Sequence, residues 1–322
     1  MKNFAHINAK SLDEAAATLQ RYGKRAAIIA GGTDLLGKMK DEILPAYPEA
    51  LVNIKTIPGL DLIEERDGTL SIGALVRVED IATDARILDA YPALAEAARR
   101  TASTHLREMG TIGGNICQDI RCWYYRNQNN RFPCLRKGGG RCYAIDGDNR
   151  YHSIFGGSVE QGCYAVHPSD TAPALIALDA TVKTSRRSIK AEDFFQVSVA
   201  KTTVLDDDEI VTQIQIPKPA GKSAFIKFAL RKAIDFPIVN CAAMITVSKK
   251  KVTAARICLN AVFVKPYRAI KAEQVMTGKA INEATAEAAG AAAVSDARPM
   301  THNAYMVPIA KAMVKRAILG CA

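Results

Sequence analysis

The stretch AAIIAGGTDLL, Ala26 to Leu36, decides how the first half of this chain is read. Its small apolar residues suit a buried strand, and they stop abruptly at Gly31-Gly32-Thr33-Asp34. Glycines at that place allow positive φ and let the backbone approach a ligand closely. Successive N–H groups in such a turn form an anion-binding concavity, and a following helix N-terminus adds to its field. A second loop, GTIGGN from Gly110 to Asn115, offers the same devices with a Thr hydroxyl and an Asn side chain besides. Neither loop is a GxGxxG or a Walker sequence, so neither of those nucleotide folds is indicated. A plain tight turn accounts for either loop alone. Two of them in one region favour a ligand with two phosphates.

The surrounding pattern is mixed. Ser11-Leu-Asp-Glu14 is a capping-box signature that opens a helix through roughly Arg21. Leu51–Ile57 and Leu70–Val78 read as strands, and Ile87–Arg100 carries apolar residues at helical spacing. Ser169–Thr184 reads as a helix running into a strand, and Pro217–Gly221 as a linker. Beyond it SAFIKFALR, FPIVNCAAMITV and VTAARICLNAV alternate like the strands of an antiparallel meander. Two Ala-rich helices follow, Glu283–Val294 and Asn303–Leu319. The expected architecture is α+β throughout, with one domain over residues 1–220 and a second over 221–322.

Composition bounds the partners. The N-terminal residues hold no apolar run long enough for a signal peptide or a membrane span, which predicts a cytoplasmic protein with no membrane partner. The formal charge of +10 favours an anionic ligand or an acidic partner, and a solvated basic surface explains it equally well. No nucleic-acid-binding motif accompanies it and aromatics make up only 6%, so nucleic acid is not an expected partner.

The second glycine loop runs into CWYYRNQNNRFPCLRKGGGRCY, Cys122 to Tyr143, which holds the only Trp and has little apolar periodicity. A long stretch of this kind within a compact chain is either functional or disordered. Cys122, Cys134, Cys142 and Cys163 are separated by 11, 7 and 20 residues, with Cys117 just upstream and no CxxC pair. In a reducing compartment such a group points to metal or redox chemistry rather than disulfides. Spacing alone leaves zinc, an iron–sulfur cluster and free thiols open. His152 is a conceivable substitute ligand, although a solvated loop histidine is the simpler reading.

AGGTDLL (Ala30 to Leu36), GTIGGNICQD (Gly110 to Asp119), SDTAPALIALDA (Ser169 to Ala180) and KFALRKAIDFPIVNCAA (Lys227 to Ala243) resemble, in order, motifs of the FAD-binding medium subunits of the molybdenum hydroxylases. This is the xanthine dehydrogenase and carbon monoxide dehydrogenase flavoprotein family, and the resemblance spans essentially the whole chain. It implies an FAD-binding domain of the vanillyl-alcohol oxidase type and a C-terminal α+β domain of the carbon monoxide dehydrogenase flavoprotein type. On the matching motifs it implies FAD contacts at Ile28, Ile29, Ala30, Gly31, Gly32, Thr33, Asp34 and Leu35. The same match points to Thr111, Ile112, Gly113, Gly114 and Asn115, with Asp170 and Lys227 as further polar candidates. Without the resemblance, Asp170 would be read as an N-cap and Lys227 as a solvated outward residue.

GGNICQDIRC before the loop, GGGRCY within it and CYAVHPSDTAPAL after it resemble the one branch with an insertion here, the FAD subunit of 4-hydroxybenzoyl-CoA reductase. That resemblance implies an iron–sulfur loop over residues 117–168 in which Cys122, Cys134, Cys142 and Cys163 hold a [4Fe–4S] cluster, with Cys117 in reserve. The stretch between Cys142 and Cys163 is longer than in that branch. The implied partners are a small [2Fe–2S] subunit and a large molybdopterin subunit in a dimer of heterotrimers, with ferredoxin as the external partner. The alternative is an NAD-linked subunit of a xanthine, aldehyde or N-heterocycle dehydrogenase-type complex. Substrate chemistry would lie on the large subunit, so no catalytic residue is expected here. Arg121, Arg126, Arg131, Arg136, Lys137, Arg141 and Arg150 form a basic rim that would steer an acidic ferredoxin or balance an anionic cluster.

Overall fold

The computed structural model describes residues 1–43, 47–158 and 162–322. Residues 159–161, in the long stretch between Cys142 and Cys163, therefore lie outside the described residues. The chain opens with a small parallel sheet of β1 (Ala5–Asn8), β2 (Ala26–Ile29) and β3 (Ala50–Asn53), in the order β1-β3-β2. The helix Leu12–Tyr22 makes the crossover from β1 to β2. Ser11 caps it as expected, its hydroxyl accepting from the Glu14 N–H at 3.1 Å. The reciprocal half of the box falls one residue early, since the Glu14 carboxylate accepts from the Lys10 N–H at 2.7 Å.

A second sheet joins β4 (Ile63–Arg66), β5 (Thr69–Gly73), β6 (Thr181–Thr184), β7 (Ser188–Lys190) and β8 (Val211–Pro217) in the antiparallel order β4-β5-β8-β6-β7. The second glycine loop and the cysteine sequence are inserted between β5 and β6. The segment Ile87–Arg100 forms two helices, Ala85–Ala90 and Pro92–Arg99, because Pro92 starts a new helix and turns Tyr91 out of helical geometry.

The last sheet is the expected meander: β9 (Lys222–Phe228), β10 (Val239–Ser248), β11 (Lys251–Asn260) and β12 (Tyr267–Arg268), ordered β12-β11-β10-β9. Helices Glu283–Ala293 and Met306–Leu319 cover it, with a third, Ile270–Met276, that the sequence pattern does not announce. Phe225, Ala242 and Cys258 of this sheet enter the same core as Leu94, Leu175 and Ile214 of the first region. The two regions thus share buried apolar surface and not just a linker. Among the described residues, no helix is long and apolar enough to cross a membrane.

Candidate cofactor sites

Strand β2 ends at Ile29, the turn Ala30–Asp34 follows, and the helix Leu35–Lys40 begins. The two glycine loops touch: a Cβ on Gly31 would lie 2.0 Å from the Met109 carbonyl oxygen. No other residue fits there without moving one loop off the other. The second loop becomes the short helix Ile112–Ile116, capped by the Thr111 hydroxyl, which accepts from the Gly114 N–H at 3.2 Å.

A cavity of about 310 Å³ opens where the loops meet. Ile28 through Leu35 line it, with Thr111, Gly113 and Gly114 opposite. This explains a departure from expectation: β2 is mostly half-buried, because its face looks into the cavity. A second cavity of about 180 Å³ shares Thr33, Asp34, Thr111, Gly114 and Gln118 with the first, and Asn115 and Asp170 line it. Two chambers that share a pair of glycine turns offer room for a ligand with both an apolar and an anionic part. The first chamber supplies apolar walls in Ile28, Leu205 and Ile210.

The second chamber supplies directed polar groups. The Asn115 side-chain oxygen accepts from Ser169 at 2.5 Å and Thr171 at 2.7 Å, which turns its amide N–H₂ the other way as a donor. Asp170 is not a capping side chain, since the Ser169 hydroxyl takes that role by accepting from the Ala172 N–H at 3.1 Å. Asp170 instead accepts from Lys227 at 2.6 Å and Asn240 at 2.7 Å. Lys227 also donates to the Arg100 carbonyl at 2.8 Å. With side chains only 3% exposed, the pair is a buried tie between the two regions rather than a solvated lysine and a cap. Ile112 is fully buried behind the loop and touches neither chamber wall.

Residues distant in sequence complete the first chamber. Glu209 lines it and accepts from Arg187 Nε and Nη2 at 2.9 and 2.8 Å and from the Thr184 hydroxyl at 2.7 Å. The Arg187 donors, helped by Thr184 and the Asp206 N–H, hold its carboxyl down at about 2 against the opposing effect of burial. Because the folded value lies below the ordinary carboxylate value of about 4.3, its stabilisation is present above about pH 4.3 and is lost as pH falls towards 2. Urea midpoints should therefore drop over that window, and Glu209→Gln should flatten the drop.

The insertion is fastened to the first glycine loop. Asp34 accepts from the Asp119 N–H at 2.9 Å, from Arg126 at 2.7 Å and from Arg121 at 2.9 Å. Burial alone would raise its pKa, but Arg126, Arg121 and Lys38 together hold it below the ordinary value. Cys117, the reserve ligand, is exposed and lines the first cavity instead.

Of the four proposed ligands, Cys122, Cys134 and Cys163 meet in one apolar cluster of the insertion, and Cys142 is not among its members. Cys134 and Cys163 share one apolar cluster with Tyr125 and Val199, and Cys122 packs against it. Burial pushes the Cys122 thiol up to about 12, and the nearby Cys163 and Cys142 sulfurs add to the shift. Cys142 is raised by burial too, with Cys163 and Cys134 contributing. The chain wraps tightly there: a Cβ on Gly139 would sit 1.7 Å from the Pro133 carbonyl oxygen, and the Gly139 N–H bonds the Cys134 carbonyl at 3.0 Å. Among the described residues, no group of three or more Cys, His, Asp or Glu side chains is placed to hold a metal. His152 is not solvated: it is 2% exposed, with Nε2 3.2 Å from the Cys122 sulfur.

The basic rim is smaller than its sequence suggested. Arg121 and Arg126 are taken by Asp34, and Arg150 pairs with Asp148. Arg131 and Arg141 stay exposed, lying over the Phe132 and Tyr143 rings.

Residues 2–219 match the family model described as the FAD binding domain in molybdopterin dehydrogenase. Residues 224–321 match the carbon monoxide dehydrogenase flavoprotein C-terminal domain. The chain is 35% identical to the aldehyde oxidoreductase FAD-binding subunit PaoB of Escherichia coli (strain K12), over 97% of this chain and 96% of that protein. It is 28% identical to the carbon monoxide dehydrogenase medium chain of Hydrogenophaga pseudoflava, over 98% of this chain and 96% of the relative. The solved structure of quinoline 2-oxidoreductase from Pseudomonas putida 86 superposes with a TM-score of 0.77 at 26% identity, covering 100% of this chain and 98% of that one. The carbon monoxide dehydrogenase structure from H. pseudoflava gives 0.78 at 27%, covering 99% and 97%. With both halves matched and the two-chambered cavity in place, the chain belongs to the FAD-binding medium subunits of the molybdenum hydroxylases and is an oxidoreductase subunit.

Proposed function

We propose that this chain is the electron-transfer subunit of a molybdenum complex oxidising an aldehyde or an N-heterocycle, and that it carries both FAD and a [4Fe–4S] cluster. The likeness to the aldehyde oxidoreductase and carbon monoxide dehydrogenase subunits supports that kind of complex, which the sequence left as the alternative, over a 4-hydroxybenzoyl-CoA reductase-type complex. FAD, when bound, exchanges one or two electrons and so joins two-electron chemistry to one-electron carriers. Ile28–Leu35, Thr111–Asn115 and Asp170 would hold it; Lys227 would act by fixing Asp170. Ile112 would support the loop from behind.

The observation that carries the reading is the shared wall: Asp34 of the flavin loop is bonded to Arg121 and Arg126 of the cysteine loop. That tie supports a reading in which Cys122, Cys134, Cys142 and Cys163 would hold a cluster near the flavin. The domain division proposed is 1–220, including the cluster loop 117–168, and 221–322. A small [2Fe–2S] subunit and a large molybdopterin subunit would complete a dimer of heterotrimers, with NAD or a ferredoxin as external partner. No residue of this chain would transform substrate. Anaerobic purification with metal and flavin analysis tests this: about one FAD and four iron per chain, beyond any partner clusters, are expected. Flavin without that iron would remove the cluster, and zinc without flavin would overturn the whole reading.

A further inference from the structure

We propose that a third pocket, between the cysteine insertion and the loop joining β9 to β10, binds an uncharged, flat, carbonyl-bearing ring of the quinone class. The insertion lines it with Trp123, Tyr151 and His152, and the loop with Leu230, Phe236 and Ile238. The space is about 260 Å³. An apolar cavity of roughly 150 Å³ already takes benzene. One substituted ring, or two fused rings, therefore fits here.

The lining selects for a flat ligand without charge. Trp123 and Tyr151 meet edge to face with ring centroids 5.4 Å apart, and the Arg121 guanidinium lies 4.8 Å from the centre of the Phe236 ring. Such aromatic surfaces suit another ring. The arginine and the aspartate of the lining are each paired, Arg121 with Asp34 at 2.9 Å and Asp235 with Arg231. The Trp123 indole N–H is also taken, donating to the Asp148 carbonyl at 3.2 Å. No free charge is left to hold an ion. One donor is left over, because Arg121 Nε is buried without a hydrogen-bond partner. An unmet buried donor calls for an acceptor, and a ring carbonyl is an acceptor that carries no charge.

The mouth is apolar as well. Leu230 is 72% exposed, Phe236 47% and Tyr151 37%, and all three line this pocket. Large apolar side chains scattered singly over a surface need no explanation, but three gathered at one opening mark a binding site. Arg121, Pro168, Asp235 and Phe236 line the second chamber too, so a ring held here is one layer of side chains from it. That position favours a redox-active ring over an inert one of the same shape. The site goes beyond the electron-transfer reading above and needs no cluster.

Trp123 is the only tryptophan of the chain, so its fluorescence in the full chain reports binding directly. The probe is duroquinone, whose ring carbons are all substituted and cannot add to thiols. It should quench Trp123 saturably, with the lifetime of the remaining emission unchanged. Leu230→Glu and Leu230→Lys, at a position exposed enough to keep the fold, should each raise the midpoint about tenfold by putting a charge at the apolar mouth. p-Xylene, flat but without carbonyls, should displace duroquinone only at concentrations more than about tenfold higher, for want of the hydrogen bond. Quenching that grows linearly and shortens the lifetime is collisional and overturns the proposal, as does a midpoint that neither variant moves. Weakening by one sign of charge alone would show a site for ions. Equal displacement by p-xylene would show an apolar slot with no preference for a quinone, and either result overturns the assignment.

Discussion

Gly31→Ala should strip the protein of FAD. The added methyl has no direction in which to relax, because the Met109 carbonyl oxygen would lie 2.0 Å away, with the Met109 carbonyl carbon at 2.8 Å and Gly110 Cα at 3.0 Å. These are backbone atoms of the second glycine loop, so the two loops must separate. Overpacking of this kind costs about 1–3 kcal/mol in an ordinary core. Here the separation also spoils the concavity in which successive N–H groups face an anion. Flavin per chain, read from the visible spectrum after gel filtration, should fall below about a tenth of wild type by this argument. A variant that keeps full flavin would show that the loop contact does not shape the cavity. Gly37→Ala is the natural control, because a Cβ there meets nothing within 4 Å.

Replacing any one of Cys122, Cys134, Cys142 and Cys163 by Ser should remove the cluster iron, about four atoms per chain. FAD should still be bound, at lower affinity, since none of the four lines the first chamber. Cys117→Ser should do the reverse of what its sequence neighbourhood suggests. It faces the flavin cavity, so iron should be unchanged and any effect should fall on flavin affinity. Cys241 and Cys258 are fully buried in β10 and β11 and belong to packing. Iron analysis of this series separates a four-cysteine site from a looser cluster of thiols.

Much of this was legible because the informative signals were local. A strand stopping at two glycines, a helix capped by Ser11 and a meander of alternating residues each depend on a few neighbours. The first chamber's far wall was not legible. Leu205, Glu209 and Ile210 reach it only because β8 pairs with β5 and β6, a placement set by long-range sheet order. Lys227, read from its strand alone, misleads for the same kind of reason. Its alternating strand suggests a solvated face, but the helix Pro92–Arg99 and Asp170 cover that face in the folded chain. His152 gave no sign of its contact with Cys122, thirty residues away. The break at Tyr91 could have been found, since Pro92 marks it plainly.

The bonds that Asp34 makes have a consequence for how such a subunit matures. A carboxylate in the flavin turn is held by two arginines from the cysteine loop, so the ordered forms of the two segments stabilise each other. Binding at either place then bears on the other through a single coupling free energy, and that coupling is reciprocal. Whatever factor a loaded cysteine loop adds to flavin affinity, bound flavin must add to the affinity for the cluster. On the proposed function, a cell short of iron would make a protein that also holds its flavin less tightly, and a cell short of flavin would make one that holds iron less tightly by the same factor.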